Sequence, residues 1–155
     1  MTRTRKPLML LAAGGSLALM IGAWGFQYIG GMAPCEMCLW QRYPHLIAIA
    51  IGLIALRYGE AALAWLGAAM AFTSAAIAGL HTGVERGWWP GFTSCSAQPI
   101  GGLSSDELFD RIMTAPVVRC DEVPWEMFGL SMASWNMIAS CVLVAIWIAA
   151  ARKPA

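Results

Sequence analysis

Four of the five cysteines in this 155-residue chain form two groups whose spacing suits redox chemistry. Cys35 and Cys38 are separated by two residues, and two thiols at this spacing can close a small disulfide ring and often have lowered pKa values. Cys95 and Cys120 lie farther apart in a polar segment and can also close a disulfide. Taken alone, the wider pair is typical of a structural disulfide. Beside a C-x-x-C motif, it suggests exchange between two dithiols through a mixed intermediate.

Zinc binding is the alternative chemistry for four cysteines. Structural zinc sites usually combine two closely spaced pairs, and only Cys35 and Cys38 are close here. We therefore favour disulfide exchange and expect no metal site. Cys141 lies in an apolar run without a partner at helical spacing, so we expect a small packing residue there.

Arg42 and His81 are the polar residues best placed to assist the cysteines. A helix that starts near Cys38 would favour a thiolate through its N-terminal partial charge, and Arg42 would lie on the same helical face. The sequence therefore predicts a Cys38 thiolate beside a permanent cation. Snorkelling to headgroups is the ordinary role of such an arginine, and an interfacial hydrogen bond that of His81. Ionisable residues at a membrane edge nevertheless indicate function.

Membrane helices are the elements that must position these residues. Hydrophobic residues make up 59% of the chain and charged residues 12%, which is too few charges to cover a soluble fold. A helix that spans a bilayer needs about 20 apolar residues, and four segments come near this length: about 8–29, 39–56, 61–80 and 131–151. The first segment is longer than the apolar core of a signal peptide, so we expect it to be retained. The sequence contains no cluster of basic residues with interleaved aromatic residues, so we expect no nucleic-acid partner.

Basic residues predict the orientation of these helices. Cytoplasmic loops are enriched in lysine and arginine, and the basic residues that flank the predicted spans share one side: Arg3, Arg5, Lys6, Arg57, Arg152 and Lys153. Both termini are then cytoplasmic, and the outer loops are about 30–38 and 81–130. The prediction is an all-α membrane protein, a single domain over 1–155 with a four-transmembrane-helix bundle.

Two local features of this bundle follow from turn and capping chemistry. In the second outer loop, Ser104 and Glu107 have the spacing of a capping box, which predicts a short amphipathic helix over about 105–114 that ends before Pro116. This helix either lies on the membrane surface or packs on the bundle. Pro44 opposes a straight helix, so residues 38–43 form either a turn or part of a kinked helix.

Three stretches of the sequence resemble the disulfide bond formation protein B (DsbB) family. The run from Pro34 to Pro44, PCEMCLWQRYP, is similar to its C-x-x-C-x-x-Q-R motif. Residues 87–95, GWWPGFTSC, resemble the approach to the family's third cysteine. Cys120-Asp121-Glu122 and residues 129–136, GLSMASWN, resemble its fourth cysteine and the entry to its last helix. The resemblance covers the chain from Leu8 to Ala151.

This resemblance implies an enzyme of the bacterial inner membrane that oxidises a periplasmic thioredoxin-like (DsbA-like) dithiol oxidase and passes the electrons to a quinone, either ubiquinone or menaquinone. By position, Cys95 would form the mixed disulfide with the partner and Cys120 would be its redox mate. Cys35 and Cys38 would be the pair coupled to the quinone, with Cys38 nearest to it. Arg42 would stabilise the quinone's developing negative charge, and His81 corresponds to a polar position near the quinone.

Three other functions remain open at this stage. A vitamin K epoxide reductase-like enzyme also combines a four-helix bundle with a C-x-x-C motif, although that motif usually lies on a late helix. A non-enzymatic four-span protein would use both cysteine pairs as structural disulfides. A third class of protein would export reducing equivalents in the opposite direction.

Overall fold

A computed structural model of the chain describes residues 5–91, 104–114 and 118–153. Within these ranges, four helices are long and apolar enough to cross a membrane, which confirms the predicted all-α four-span fold. The elements in chain order are α1 (Arg5–Trp24, continued by a π-helical turn over Gly25–Ile29), α2 (Glu36–Arg57), α3 (Ala61–Glu85), α4 (Ser105–Thr114), β1 (Glu126–Met127), β2 (Leu130–Ser131) and α5 (Met132–Ala151).

The four long helices form a ring in which α1 packs against α2 and α5, and α3 packs against α2 and α5. We call the end of the bundle where α2 and α5 begin the cysteine end, and the opposite end the arginine end. At the arginine end, Arg5 donates hydrogen bonds to the carbonyls of Gly59 and Lys153. Lys6 donates to the carbonyl of Leu56 at 3.1 Å. Basic side chains therefore donate hydrogen bonds to carbonyls at or just beyond helix C-termini, where a positive charge is favourable.

The half of the bundle nearer the arginine end is packed through small side chains. Gly67 illustrates how close the helices come, because a Cβ atom at this position would lie 2.5 Å from the ring of the fully buried Trp147. Small residues allow such approach between helices in lipid, where association depends on close packing. The buried core of this half consists of Met9, Ala12, Ala13, Ile51, Ala55, Ala64, Ala68, Ala71, Leu143, Trp147, Ala150 and Ala151.

Two helices extend beyond their predicted limits at the cysteine end. Helix α2 begins at Glu36 instead of about residue 39, because the Cys35 side chain caps it by accepting the backbone N–H of Cys38. Residues 38–43 are therefore helical, and Pro44 lies inside the helix. Helix α3 continues to Glu85 instead of about residue 80. Its last turn is polar, and the bundle provides hydrogen-bond partners for that turn, so the end of the apolar run did not end the helix.

Helix α4 spans Ser105–Thr114, as the capping box predicted. The Ser104 backbone N–H donates to the Glu107 carboxylate at 2.8 Å, and the Glu107 N–H donates to the Ser104 hydroxyl at 3.4 Å. The apolar side chains of Phe109 and Met113 are exposed. This exposure is what a helix lying on a membrane surface would show.

A β-hairpin that the sequence analysis did not predict leads into α5. Glu126 pairs with Ser131 and Met127 with Leu130, and both residues of the intervening turn, Phe128 and Gly129, have positive φ. Such turns match the twist of a tight two-residue hairpin. Arg86 donates to the Gly129 carbonyl at 3.1 Å, so the hairpin is joined to the end of α3.

Candidate redox site

Cys35 and Cys38 lie together at the start of α2. Their sulfur atoms are 2.8 Å apart, and the Cys38 backbone N–H donates to the Cys35 sulfur at 3.2 Å. Cys35 is buried, whereas Cys38 is partly exposed. The helix start therefore holds the two free thiols in direct contact, close enough to close a disulfide.

The environment of Cys35 favours its thiolate. The hydrogen bond from the Cys38 side chain lowers the pKa of Cys35 to about 5, and contact with His81 and the Cys38 backbone N–H act in the same direction against the effect of burial. The sequence analysis placed the thiolate on Cys38 instead. The structure places a lowered pKa on Cys35 because the helix cap, the neighbouring thiol and the imidazole all converge on that sulfur.

Cys120 adjoins this pair. It is fully buried, is held in a disulfide, and belongs to one buried cluster with Cys35, Met37 and Val84. Trp89 packs on the same cluster, and its indole N–H donates to the Leu80 carbonyl at 3.0 Å. Cys95 lies outside the described residues, so its pairing with Cys120 stays a prediction. The structure does bring Cys120 from the long loop to the C-x-x-C motif.

His81 lies between these two groups of cysteines. Its Nε2 atom is 3.7 Å from the Cys35 sulfur and 3.2 Å from the Cys120 carbonyl oxygen. The same atom is 3.8 Å from the carboxylate of Glu85, which also accepts a hydrogen bond from Ser131, the residue that caps α5. Sequence reasoning missed Glu85; its position one helical turn after His81 is the signal that could have found it.

Cys38 and Arg42 face a cavity of about 550 Å³ between α1, α2 and α5. Its lining is mainly apolar and includes a tilted ring pair, Phe26 and Trp125, whose centroids are 5.1 Å apart. The Arg42 guanidinium donates to the Gln27 side-chain oxygen at 2.6 Å, which anchors it to the π-helical turn of α1. His81 is not among the described residues that line this cavity, so its predicted place near a quinone stays a prediction.

A chain of polar side chains runs from His81 into the bundle. Gln41 contacts the His81 Nδ1 atom at 3.0 Å, and Asn136 donates to the Gln41 side-chain oxygen at 2.7 Å. His45 continues the chain, with its Nε2 atom 3.1 Å from the Asn136 oxygen and its Nδ1 atom 3.2 Å from the Ser16 hydroxyl. Sequence reasoning did not assign these residues to the site. Isolated polar residues on apolar helices are the signal that could have found them.

Two further expectations concern metal binding and the role of Cys141. Cys35, Cys38 and His81 have potential metal-ligand atoms within 4.8 Å of one another. The two sulfurs, however, are closer together than two thiolates on one tetrahedral zinc ion. Cys141 is free and exposed on α5, so the expectation of a small packing residue at this position is wrong. Helix α5 directs this side chain away from the interior of the four-helix bundle.

A four-span bundle with adjoining redox-capable cysteines at one end defines a multi-pass membrane protein of thiol–disulfide chemistry. The family model for disulfide bond formation protein DsbB matches residues 5–150, and the chain belongs to this family. The disulfide bond formation protein B of Shewanella loihica is 34% identical over 152 residues, which cover 94% of this chain and 86% of that protein. The protein of the same name from Shewanella sp. (strain MR-4) is 31% identical, covering 88% of this chain and 82% of the relative. The protein of this name from Azoarcus sp. (strain BH72) is 27% identical, and the match covers 97% of this chain and 96% of the relative. No solved structure matches the chain significantly.

Proposed function

We propose that this protein is a thiol:quinone oxidoreductase of the bacterial inner membrane. It oxidises a periplasmic DsbA-like dithiol oxidase and passes the electrons to ubiquinone or menaquinone. One observation carries the proposal: the Cys35–Cys38 pair adjoins the disulfide-bonded Cys120 on one side and, through Cys38, an apolar cavity on the other. A dithiol between a disulfide and an apolar cavity is suited to transfer electrons from a soluble thiol to a lipid-soluble acceptor.

The disulfide of Cys120 provides the entry for electrons. In this proposal, the partner's thiolate attacks Cys95, and Cys120 leaves with the electron pair. The partner's second thiol then resolves the mixed disulfide, which leaves the partner oxidised and Cys95 and Cys120 reduced. The names of the relatives, which refer to disulfide bond formation, support this direction of transfer.

The cavity fits a quinone head group. Its volume of about 550 Å³ lies in the range of small-molecule sites, and an apolar lining with a few convergent polar groups is typical of such sites. A bound quinone supplies an acceptor for two electrons and two protons. Cys38 provides the thiol that faces it, and Arg42, held by Gln27, provides a fixed positive charge for an oxygen that becomes negative.

The distribution of basic residues supports an orientation with both termini in the cytoplasm. Arg5, Lys6, Arg57, Arg152 and Lys153 all lie at the arginine end, and positive residues favour the cytoplasmic side. The cysteine end then faces the periplasm, where a disulfide such as that of Cys120 persists. The soluble partner is therefore expected on the same side as the cysteines.

A purified-component assay tests the proposal. The protein in detergent is mixed with a reduced thioredoxin-like oxidase and a soluble ubiquinone or menaquinone analogue, and quinone absorbance is followed together with the partner's free thiols. We expect one quinone reduced for each partner disulfide formed. Absence of quinone reduction would contradict the proposal. So would a reaction that runs only in the opposite direction, in which quinol reduces an oxidised partner to its free thiols.

Cys38→Ser and Cys141→Ser form a matched pair of variants for this assay. Both replace a free cysteine on a membrane helix, but only Cys38 lines the cavity. The first variant should lose quinone reduction, and the second should keep it. Activity that survives Cys38→Ser would remove Cys38 from its proposed role.

A further inference from the structure

One imidazole nitrogen contacts both groups of cysteines. The Nε2 atom of His81 lies 3.2 Å from the carbonyl oxygen of Cys120 and 3.7 Å from the sulfur of Cys35. The residue is 2% exposed, so these contacts form away from water. Whether Nε2 donates or accepts a hydrogen bond depends on the tautomer of the ring, and the neighbours of His81 decide which tautomer is present.

The neighbours on the Nδ1 side require this atom to accept. The Gln41 amide nitrogen is 3.2 Å from the Met37 carbonyl oxygen, and because a carbonyl can only accept, the amide nitrogen must point toward it. The same nitrogen is 3.0 Å from His81 Nδ1, so its second N–H donates there. Asn136 supports this orientation by donating to the Gln41 side-chain oxygen at 2.7 Å.

The neighbour on the Nε2 side leads to the same tautomer independently. The Cys120 oxygen is a backbone carbonyl and can only accept, so Nε2 must carry the hydrogen. Both sides of the ring therefore specify a neutral His81 that carries its hydrogen on Nε2. This atom donates to the Cys120 carbonyl oxygen and also contacts the Cys35 sulfur. A donor held in this way is preorganised for negative charge on the Cys35 sulfur.

We propose that His81 is a catalytic residue for disulfide exchange between the Cys120 pair and the Cys35–Cys38 pair, and that it acts there instead of at the quinone. This inference rests on the proposed function. The Nε2–H group holds the Cys120 backbone against Cys35 and stabilises the Cys35 thiolate as it forms. Gln41 acts through His81 and is a positioning residue, since it sets the tautomer.

The exchange proceeds in two balanced steps. The Cys120 thiolate attacks the Cys35 sulfur, so that a Cys120–Cys35 bond forms, the Cys35–Cys38 bond breaks, and Cys38 takes the electron pair. The Cys95 thiolate then attacks Cys120, the Cys120–Cys35 bond breaks, and Cys35 takes the electron pair. The second step develops negative charge on Cys35, where the His81 N–H donates. One pair is oxidised and the other is reduced, and the two thiol protons are transferred with the electrons.

Glu85 provides the charge that this role of His81 needs. Its carboxylate is 3.8 Å from His81 Nε2 and is held in place by the hydroxyl of Ser131. A negative charge beside Nε2 favours the tautomer that carries its hydrogen on this atom. Glu85 therefore acts through His81 and is a positioning residue.

Substitutions that keep one ring nitrogen or the other test the proposal. In His81→Gln, the amide nitrogen falls near the position of Nε2, whereas in His81→Asn it falls near that of Nδ1. The oxidised variants are mixed with the reduced thioredoxin-like partner without quinone, and the disulfides are mapped by acid quenching, alkylation and peptide mass spectrometry. We expect His81→Asn to slow reduction of Cys35–Cys38 about a hundredfold and to accumulate the Cys35–Cys120 disulfide. His81→Gln should stay within about tenfold of the parent protein.

A second measurement separates this proposal from the proposed function. The variants are reduced completely with excess dithiothreitol, freed of it, and mixed with the quinone analogue, which bypasses the exchange between the pairs. The His81 variants should be slowed less in this step than in the exchange between the pairs, because only the Cys35 thiolate, and not the Cys120 backbone, takes part in it. Retained quinone reduction also shows that the variants are folded. Quinone reduction slowed as much as the exchange, or equal slowing by His81→Gln and His81→Asn in the exchange, would overturn the role of His81. If the parent protein itself reduces no quinone, the proposed function fails instead.

The positioning residues have their own variants. Gln41→Glu keeps the shape of the side chain and replaces the donor to His81 Nδ1 with an oxygen. Glu85→Gln keeps an acceptor for Ser131 and removes the charge. Both should accumulate the Cys35–Cys120 disulfide, to a smaller extent than His81→Asn. Loss of activity without this species would contradict their roles.

Discussion

The two halves of the bundle are stabilised by different interactions. The half near the arginine end packs alanine and glycine against one another and against Trp147. The half near the cysteine end buries polar side chains, among them Gln41, His45 and His81, which are linked by hydrogen bonds through the half-buried Asn136. The same four helices form both halves, so the difference lies in the side chains alone.

This difference separates stability from chemistry. In lipid, close contact between small side chains holds helices together, and that interaction carries no chemical function. A buried polar group in lipid must find a partner, and a satisfied network of such groups holds its members in one arrangement. The apolar half therefore provides a stable support, while the polar half sets the orientation of the groups that contact the cysteines. Substitutions in the two halves should have different consequences.

The largest expected effect is on activity and comes from the cysteine end. Cys35→Ser should abolish transfer from partner to quinone, at least a thousandfold by order of magnitude, because the pair can no longer form a disulfide. The helix should still form, since a serine hydroxyl also caps helix N-termini. Steady-state quinone reduction measures the loss, and thermal unfolding in detergent should be nearly unchanged below about pH 5, where the Cys35 thiol keeps its proton and its lowered pKa no longer contributes to stability. A large drop in stability would show that the two halves are not separable in this way.

The next effect is on stability and comes from the arginine half. Gly67→Ala places a methyl group against the ring of Trp147 and should destabilise the protein by about 1–3 kcal/mol. Gly14→Ala is the matched control, because a Cβ at position 14 meets no atom within 4 Å. Thermal unfolding in detergent compares the two variants. Equal stabilities would contradict the tight contact, and loss of quinone reduction by folded Gly67→Ala would contradict a purely structural half.

A smaller effect is expected for the two arginines at opposite ends of α2. Arg42→Met removes the cation that faces the cavity and should raise the KM for quinone about tenfold. Arg57→Met removes an exposed cation that lies over the ring of Tyr58, 5.4 Å from its centroid, and should leave the KM unchanged. Quinone titrations of both variants measure this difference. The same KM for both would remove Arg42 from the quinone site.

The smallest effect is a shift along the pH axis. In the reduced protein, the pKa of Cys35 is lowered to about 5, chiefly by the hydrogen bond from Cys38, so its thiolate should persist at neutral pH and disappear as the pH falls through about 5. Because this folded pKa lies below that of a free thiol, its contribution to stability is fully present above the ordinary thiol pKa and is lost as the pH falls toward about 5. Ultraviolet thiolate absorbance, with Cys35→Ser as the control, measures the transition. A transition near the pKa of a free thiol would contradict the convergence of donors on Cys35.

Much of the fold could be predicted because its signals are local. The apolar runs predicted the four spans, and the Ser104–Glu107 spacing together with Pro116 predicted the limits of α4. The C-x-x-C spacing brought Cys35 and Cys38 together without knowledge of any other residue. The end of α3 at Glu85 was predicted less accurately because tertiary partners stabilise its last turn, and the start of α2 at Glu36 because the local cap by Cys35 was not recognised.

The sequence by itself therefore determined the class of fold, the close cysteine pair and its place at a helix start, because hydropathy, capping and i, i+3 spacing act between neighbours in the chain. Only the tertiary structure decided which sulfur has the lowered pKa, what His81 contacts, and which residues line the cavity. His81 and Gln41 are separated by 40 positions, and Asn136 and Gln41 by 95. A pattern along one chain does not record such contacts, since they form only when helices pack and each buried polar group must find its partner.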